Sequence, residues 1–207
     1  MEDFVAILIS GGFIGLFVYL IIRGLWRADD WRQDSYGPSY DSLSTEKKKA
    51  QSTDVIRGQI PNLPKASVKW VVDGDTVIVV KGWQEITIRL DSIDCPEDGQ
   101  HWGDTAKFGL IKLISKQSVH VEEHGLDHYG RTLATIYVWH HQKSEWINVN
   151  ERMVMLGHAW VLRRSYDHLP QDRKNKLNRL ESWSRSKNIG LWATENPIPP
   201  WEWRNRS

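Results

Sequence analysis

At 207 residues, the chain is long enough for one folded domain with additional segments. Its formal net charge of +1 excludes a globally basic surface, so any positive patch that binds nucleic acid must be local. A single cysteine excludes an intramolecular disulfide.

The N-terminal part contains an uncharged, apolar run over residues 5–22, which is about the length that crosses a bilayer as a helix. A cleaved signal peptide would start with basic residues and have a shorter apolar core, whereas this chain starts with Met1-Glu2-Asp3. A buried soluble helix would show a polar face, which this run lacks. We therefore predict a membrane anchor at residues 1–27 that places residues 5–22 in the lipid bilayer.

Positive charge follows this run, because Arg23, Arg27 and Arg32 come after it and no lysine or arginine precedes it. An excess of positive charge marks the cytoplasmic side, which predicts a single-pass protein with its large domain in the cytoplasm. The opposite orientation, with the domain periplasmic or extracellular, stays open.

Residues 28–64 are predicted to be a polar linker, because they hold too few apolar residues for a core. A short helix at 45–56 is compatible with this linker.

Residues 65–207 alternate between strand-like and helical patterns and form the predicted folded domain. Helices are predicted at 105–115, 148–156 and 170–187, and the proline-rich tail at 197–201 is predicted to be an extended strap. Strands are predicted at 68–72, 76–80, 84–90, 118–122 and 131–139. Five short antiparallel strands, with a helix between the third and fourth, predict an α+β fold built on a five-stranded OB-type β-barrel with about three packed helices.

Two acidic residues mark the ends of predicted strand segments. Asp75 follows the first hairpin turn and Asp94 follows the third strand, although Asp75 alone indicates no more than a turn carboxylate. Pro96 keeps Cys95 extended and leaves the backbone carbonyl of Cys95 free to face an ion. Two carboxylates and a carbonyl are hard oxygen donors, which suit Ca²⁺ or Mg²⁺ better than Zn²⁺.

Glu97, Arg89 and Arg131 complete a set of groups suited to phosphodiester chemistry. Glu97 follows Cys95 by two residues and is placed to act as general base towards a water near the ion. The two guanidinium groups can form paired hydrogen bonds to phosphate oxygens. Strict alternation would put Arg89 and Asp94 on opposite faces of a strand, so we expect that strand to bulge or end near Ser92.

The domain resembles the staphylococcal nuclease (thermonuclease) family in the identity and order of six stretches between about residues 67 and 204. They are VDGDTV at 72–77, IRL at 88–90 with IDCPE at 93–97, DHYGRTLA at 127–134, LGHAWV at 156–161, GLW at 190–192 and PPWEWR at 199–204. This resemblance implies an OB-type barrel that carries a nuclease active on DNA, RNA or both, with low sequence specificity and 3′-phosphate products.

The resemblance also implies one Ca²⁺ per domain, with Mg²⁺ or Mn²⁺ as less suitable ions. By motif position it assigns as metal ligands Asp75, Asp94 and the carbonyl of Cys95, and as catalytic residues Arg89, Glu97 and Arg131. Cys95 departs from the threonine that is common in the founding member, but a backbone ligand tolerates that change. The family's base-stacking tyrosines have no clear match after Val161, and Trp160 or Tyr166 are candidates to replace them.

The alternative function is a catalytically weak or inactive OB-fold nucleic-acid-binding module tethered to the membrane, because relatives of the family in multidomain scaffolds lack the catalytic acids and arginines. This chain has all five candidate side chains, which favours an enzyme. Its eight histidines include no helical His-x-x-x-His pair with an accompanying acid, so no zinc site is predicted. DNA or RNA is the predicted substrate, with no obligate protein partner and a monomeric domain.

Overall fold

A closed β-barrel forms the centre of the folded domain in the computed structural model, which describes residues 62–141 and 144–206. Within these ranges the strands are β1 Lys65–Val71, β2 Thr76–Lys81, β3 Gln84–Leu90, β4 Ile93–Asp94, β5 Ser118–Leu126, β6 Thr132–His140, β7 Glu145–Asn148 and β8 Trp160–Val161. The α-helices are α1 Gly103–Ile114, α2 Val149–Met155, α3 Gln171–Ser186 and α4 Pro200–Trp203. Short 3₁₀ helices are formed by Arg163–Ser165, Gly190–Ala193 and Arg204–Arg206.

Five strands close the barrel in the order β3-β2-β1-β5-β6, with β6 returning to β3. The neighbours in this order pair antiparallel, whereas β3 and β6 pair parallel, with Ile88 opposite Thr132 and Leu90 opposite Ala134. The predicted five-stranded barrel with helices is confirmed, but the prediction that all its strands are antiparallel was wrong. A parallel pair at the closure has no local sequence signature, because the two strands are about 40 residues apart.

Apolar side chains that alternate along the strands fill the barrel. Burying such β-branched and leucine side chains typically contributes about 1.5–3 kcal/mol each, which is the main term that stabilises a domain of this size. The inward-facing residues include Val77, Val79, Ile88, Leu90, Val119 and Ile136, all at most 1 % exposed.

The three longer helices begin and end within two residues of their predicted bounds. Helix α2 is capped by Asn148, whose side chain accepts a hydrogen bond from the Glu151 backbone N–H. After α2 the chain turns at Gly157, where φ is +65° and a Cβ would lie 2.1 Å from the Ile189 carbonyl oxygen. Only glycine fits this close approach.

One local prediction needs correction, and two features of the sheets were not predicted. The proline-rich tail at 197–201 is not an extended strap throughout, because α4 begins at Pro200, and a 3₁₀ helix follows at Arg204–Arg206. Pro200 stands in the first turn of α4, where the missing N–H costs no helical hydrogen bond. The structure adds β7, which pairs with β6, and a small sheet of β4 with β8, neither of which was predicted.

The predicted anchor, the span at 5–22, nearly all of the linker and the possible helix at 45–56 lie outside the described residues. Among residues 62–141 and 144–206, no helix has the length and apolar character needed to cross a bilayer.

Candidate active site

A sharp turn after β3 brings Arg89 close to Asp94. β3 ends at Leu90, and Ser92 adopts a φ of 63°, which reverses the direction of the chain before β4. The turn is fixed by hydrogen bonds from the Asp91 N–H to the Ala134 carbonyl at 2.9 Å and from the Leu162 N–H to the Ser92 carbonyl at 2.9 Å. Strand β3 therefore ends just before Ser92, as predicted. Arg89 and Asp94 can contact each other because the chain turns between them.

The turn between β1 and β2 packs directly against the segment that follows β4. Asp75 Oδ2 accepts a hydrogen bond from the Cys95 N–H at 2.6 Å, which ties the two segments together. A Cβ on Gly74 would lie 2.7 Å from the Cβ of Cys95, so this contact needs a glycine. The glycine of the Asp-Gly-Asp motif thus allows a carboxylate from one turn to reach the backbone of the other.

Arg89 connects the two buried acids. Its Nη2 donates to Asp94 Oδ1 at 2.7 Å and its Nη1 lies 3.1 Å from Asp75 Oδ2. Nη1 also donates to the carbonyls of Leu90 and Ile93, at 3.0 and 2.9 Å. Burial alone would lower the pKa of Arg89, but the charges of Asp75 and Asp94 outweigh it and raise that pKa. The guanidinium group is therefore permanently charged and rigidly held.

Asp75 has too little positive charge around it to remain ionised easily. Burial raises the pKa of its carboxyl from 3.8 to about 7. Arg89 lowers that pKa, but the neighbouring carboxylates of Asp73 and Asp94 raise it. Asp94 is only 1 % exposed and shares Arg89 with Asp75. An additional cation at this point would favour the ionised form of Asp75.

The donor set at this point consists of oxygen atoms. Burial and the charge of Asp75 raise the pKa of the Cys95 thiol well above its usual value, so the thiol stays protonated. Its Sγ lies 3.2 Å from the Gly74 carbonyl oxygen. Cys95 could therefore serve a metal through its carbonyl oxygen and not through a thiolate. Carboxylate and carbonyl oxygens without a thiolate fit a hard cation such as Ca²⁺.

Arg131 immediately precedes β6, at the end of the turn that begins at Asp127. Its Nε donates to Asp127 Oδ2 at 2.8 Å, and the same aspartate accepts the Arg131 backbone N–H at 2.9 Å. Its Nη1 points towards β2 and lies 3.4 Å from Thr76 Oγ1, next to Asp75. Asp127 thus positions the Nε edge of the guanidinium group, and Nη1 lies beside Thr76, the residue that follows Asp75.

Glu97 is partly exposed and contacts Arg204, a residue to which the sequence analysis assigned no role. Arg204 Nη1 forms a short ion pair with Glu97, and its Nη2 donates to Asp94 Oδ2 at 2.8 Å. Arg204 follows α4, more than 100 residues after Glu97. Arg204 ends the PPWEWR stretch that resembles the family, and this was the one sequence feature that could have pointed to it. The local pattern around a charged residue in the tail does not by itself indicate a role at a site.

A cleft of about 480 Å³ opens over these groups. Asp94 is almost fully buried and contacts Arg89 and Arg204. The residues that line the cleft include five of the six predicted site residues, namely Asp75, Arg89, Cys95, Glu97 and Arg131, and also Asp73, Asp127, Tyr129 and Arg204. The structure thus brings all six predicted site residues to one place, while their individual roles stay predictions.

One of the two suggested stacking residues is unsuitable. Trp160 is 4 % exposed and packs in the core against Leu191 and Trp192, so the suggestion that it stacks on bases was wrong. Tyr166 does not line the cleft. Tyr129 does, is 74 % exposed, and has the Arg131 guanidinium 5.4 Å from its ring centre. An exposed aromatic ring beside an arginine is the kind of surface on which a base can stack.

Comparison with known proteins agrees with this geometry. Residues 87–194 match the family model described as "Staphylococcal nuclease homologue". The chain belongs to the staphylococcal nuclease family. It is 36% identical over 146 residues to a micrococcal nuclease of Shigella flexneri, an alignment that covers 69% of this chain and 82% of the relative.

Two further relatives are named as endonucleases. An uncharacterized endonuclease of Haemophilus influenzae is 38% identical over 137 residues, covering 66% of this chain and 70% of the relative. One of Escherichia coli is 35% identical over 136 residues, covering 66% of this chain and 82% of the relative. The family domain and these relatives identify the chain as a hydrolytic nuclease of the staphylococcal type, as predicted.

Proposed function

We propose that this chain is a Ca²⁺-dependent nuclease that hydrolyses phosphodiester bonds of DNA, RNA or both with low sequence specificity. One observation carries this proposal. Three segments that are remote in sequence bring two buried carboxylates, a glutamate and two arginines together, and all of them line a single cleft except Asp94, which is buried behind Arg89 and Arg204. An oxygen-donor pocket beside guanidinium groups is suited to a divalent ion with an adjacent phosphate.

The ion would be held by Asp75, Asp94 and the carbonyl oxygen of Cys95. The raised pKa of Asp75 supports this assignment, because a buried acid that resists ionisation gains most from a nearby cation. When bound, the ion supplies Lewis-acid polarisation of a phosphate oxygen and lowers the pKa of a coordinated water. One ion per domain is expected, and Mg²⁺ or Mn²⁺ would fit less well.

Proton transfer, phosphate binding and positioning of the acids are assigned to protein side chains. Glu97 would accept a proton from the attacking water, for which it must first separate from Arg204. Arg131, positioned by Asp127, would bind a non-bridging oxygen of the scissile phosphate and bind it more tightly as negative charge grows. Arg89 would keep Asp75 and Asp94 close together and would add a second positive charge to the site, beside these two acids.

Low sequence specificity follows from the kinds of groups that line the cleft. Guanidinium groups bind phosphates, which carry no sequence information. Tyr129 would stack on a base face, which every base has. Arginine–phosphate contacts and aromatic stacking do not depend on a particular base edge, and both DNA and RNA therefore qualify as substrates.

The proposal also includes the attachment of the nuclease domain to a membrane. Residues 5–22 would tether a monomeric nuclease domain to the membrane, with residues 28–64 as the linker. The apolar, uncharged composition of the run at 5–22 and the arginines that follow it support this assignment and a cytoplasmic domain.

The test measures plasmid and single-stranded DNA cleavage by the purified full-length chain with Ca²⁺ or with EDTA. Cleavage should need Ca²⁺, and Glu97→Gln and Arg131→Ala should each slow it at least ~100-fold with the fold retained, because each removes a transition-state interaction. Matched controls are Glu195→Gln and Arg179→Ala, exposed residues outside the cleft, which should keep the wild-type rate.

Two results would contradict the proposal. Unchanged rates in both cleft variants would remove the assigned roles of Glu97 and Arg131. DNA binding by the wild type without cleavage would instead support the alternative, an inactive nucleic-acid-binding module tethered to the membrane.

A further inference from the structure

A second cluster of metal-ligating side chains lies beside the turn after β3 and consists of Asp91, His124 and His168. Each residue offers one ligand atom, and these atoms all lie within 4.8 Å of one another. Asp91 belongs to the turn, His124 to β5, and His168 to the loop between the 3₁₀ helix Arg163–Ser165 and α3. Because these segments are remote in sequence, a search for local histidine motifs does not find them.

Asp91 has an oxygen atom that needs a partner. The residue is 2 % exposed, and its Oδ2 accepts from Ser92 Oγ at 2.8 Å and lies 2.9 Å from His168 Nε2. Its Oδ1 is also buried and has no hydrogen-bond partner among the residues that the structure describes. A buried carboxylate oxygen without a partner is costly, and a bound cation would satisfy it.

The surrounding hydrogen bonds hold the backbone of Asp91 and the side chain of His124 in place. Asn150 Nδ2 donates to the Asp91 carbonyl at 3.0 Å, which fixes the backbone of the turn. His124 Nε2 lies 2.9 Å from Thr135 Oγ1, and that hydroxyl accepts from Arg173 Nη2 at 2.8 Å. Outer hydrogen bonds that fix the orientation of a histidine ring are typical of metal sites.

The positive charge of Arg173 does not oppose a cation at full strength. Arg173 Nη1 donates to both carboxylate oxygens of Glu122, at 3.1 and 3.0 Å. This ion pair offsets the charge of the guanidinium group, so the buried carboxylate of Asp91 remains the dominant charge at the cluster.

We propose that Asp91, His124 and His168 form a second metal site, which takes Zn²⁺ or a similar transition-metal ion. Two imidazoles and one carboxylate form a common protein donor set for zinc, and a water can complete the tetrahedron. Zinc–ligand distances of about 2.0–2.1 Å place the ligand atoms of a tetrahedral site about 3.4 Å apart. The ligand atoms lie within 4.8 Å of one another, so the most distant pair must approach by up to about 1.4 Å. His168 has 39% of its side chain exposed and has room to move.

This site differs in chemistry from the oxygen-donor pocket at Asp75 and Asp94. Nitrogen donors select borderline ions such as Zn²⁺, whereas oxygen donors select Ca²⁺. An ion at Asp91 would connect the turn that joins Arg89 to Asp94 with β5 and with the loop before α3. We therefore expect zinc to stabilise the domain.

The experiment titrates the full-length chain with Zn²⁺ by calorimetry in excess Ca²⁺, which competes for oxygen-donor sites. The wild type should bind one Zn²⁺, and His168→Ala and His124→Ala should each weaken binding at least about tenfold. His101→Ala, an exposed histidine before α1, is the matched control and should bind as the wild type does. In parallel, Zn²⁺ should raise the Tm of the wild type and not that of His168→Ala.

Equal Zn²⁺ affinity in His168→Ala and the wild type would overturn the proposal, as would an equal loss in His101→Ala. A lower Tm of His168→Ala without any change in zinc affinity would identify the Asp91–His168 contact as an ion pair only, and would also overturn it. His168 is on the surface, so its variant carries the test even if His124→Ala does not fold. Nuclease activity is not a readout, so the result is independent of the Ca²⁺ proposal.

Discussion

The carboxyl group of Asp75 is the group in the cleft for which burial has the clearest measurable consequence. Its pKa is raised to about 7, first by burial and then by the charges of Asp73 and Asp94, against the lowering effect of Arg89. A carboxyl group whose pKa is higher in the folded than in the unfolded state stabilises the fold at low pH. That stabilisation is lost as the pH rises from the unfolded value of 3.8 through about 7.

Asp75→Asn removes this titration. Without Ca²⁺, the free energy of unfolding of the variant should increase relative to that of the wild type by on the order of 2 kcal/mol between pH 5 and pH 8. Urea unfolding in EDTA at both pH values measures it. Asp104→Asn, which changes an exposed aspartate in the first turn of α1, is the control and should show no such pH-dependent difference. A constant difference between Asp75→Asn and the wild type would contradict the raised pKa.

At the scale of elements, the short helix α4 determines where Arg204 lies relative to the cleft. Trp201 packs its ring against Trp160, with ring centres 6.4 Å apart, and the Gln100 side chain donates to the Ile198 carbonyl at 2.7 Å. These contacts fix the tail on the domain. Arg204, the next residue after α4, is thereby placed on Asp94 and Glu97.

Arg204 therefore competes with a cation for Asp94. We expect Arg204→Ala to lower the Ca²⁺ concentration needed for half-maximal cleavage by about fivefold, which corresponds to roughly 1 kcal/mol of charge repulsion near the protein surface. Arg206→Ala, an exposed arginine two residues later, is the matched control. The measurement is the rate of DNA cleavage as a function of Ca²⁺ concentration. A higher Ca²⁺ requirement in Arg204→Ala would instead indicate that this arginine supports the metal-bound state.

Local patterns predicted most elements of the domain. Strand β3 was predicted at 84–90 and is observed at Gln84–Leu90, because alternation and the flanking turns define a half-buried strand on their own. The parallel pairing of β3 with β6 was not predictable in the same way, because closure depends on the packing of the whole barrel. Strand β8 has only two residues, which is too short for any periodic pattern.

The same distinction holds for the site. Asp75, Arg89, Asp94 and Glu97 occur in dense motifs at turns, and those motifs made them candidates. Arg204 and the Asp91–His124–His168 cluster are brought in by tertiary contacts between segments with no shared local pattern. The burial of Trp160 is a further tertiary effect, since a tryptophan beside a glycine turn has the same local sequence whether it faces solvent or the core.

At the scale of the whole molecule, the net charge of +1 means that substrate attraction must come from the arginines of the cleft. A local cluster contacts few phosphates, so binding should depend only moderately on salt concentration. Because a net charge of +1 gives no strong long-range attraction, the location of the domain determines which nucleic acids it meets.

The proposed anchor fixes that location. We expect the full-length chain to stay in the membrane pellet after carbonate extraction, because residues 5–22 are long and apolar enough to span the bilayer. Protease added to intact cells should leave the nuclease domain undigested, since positive charge after the span favours a cytoplasmic domain. The double variant Arg23→Glu and Arg27→Glu weakens that bias and should increase the digested fraction. Digestion of the wild-type domain from outside would reverse the orientation, and the site would then meet extracytoplasmic nucleic acids instead of those of the cytoplasm.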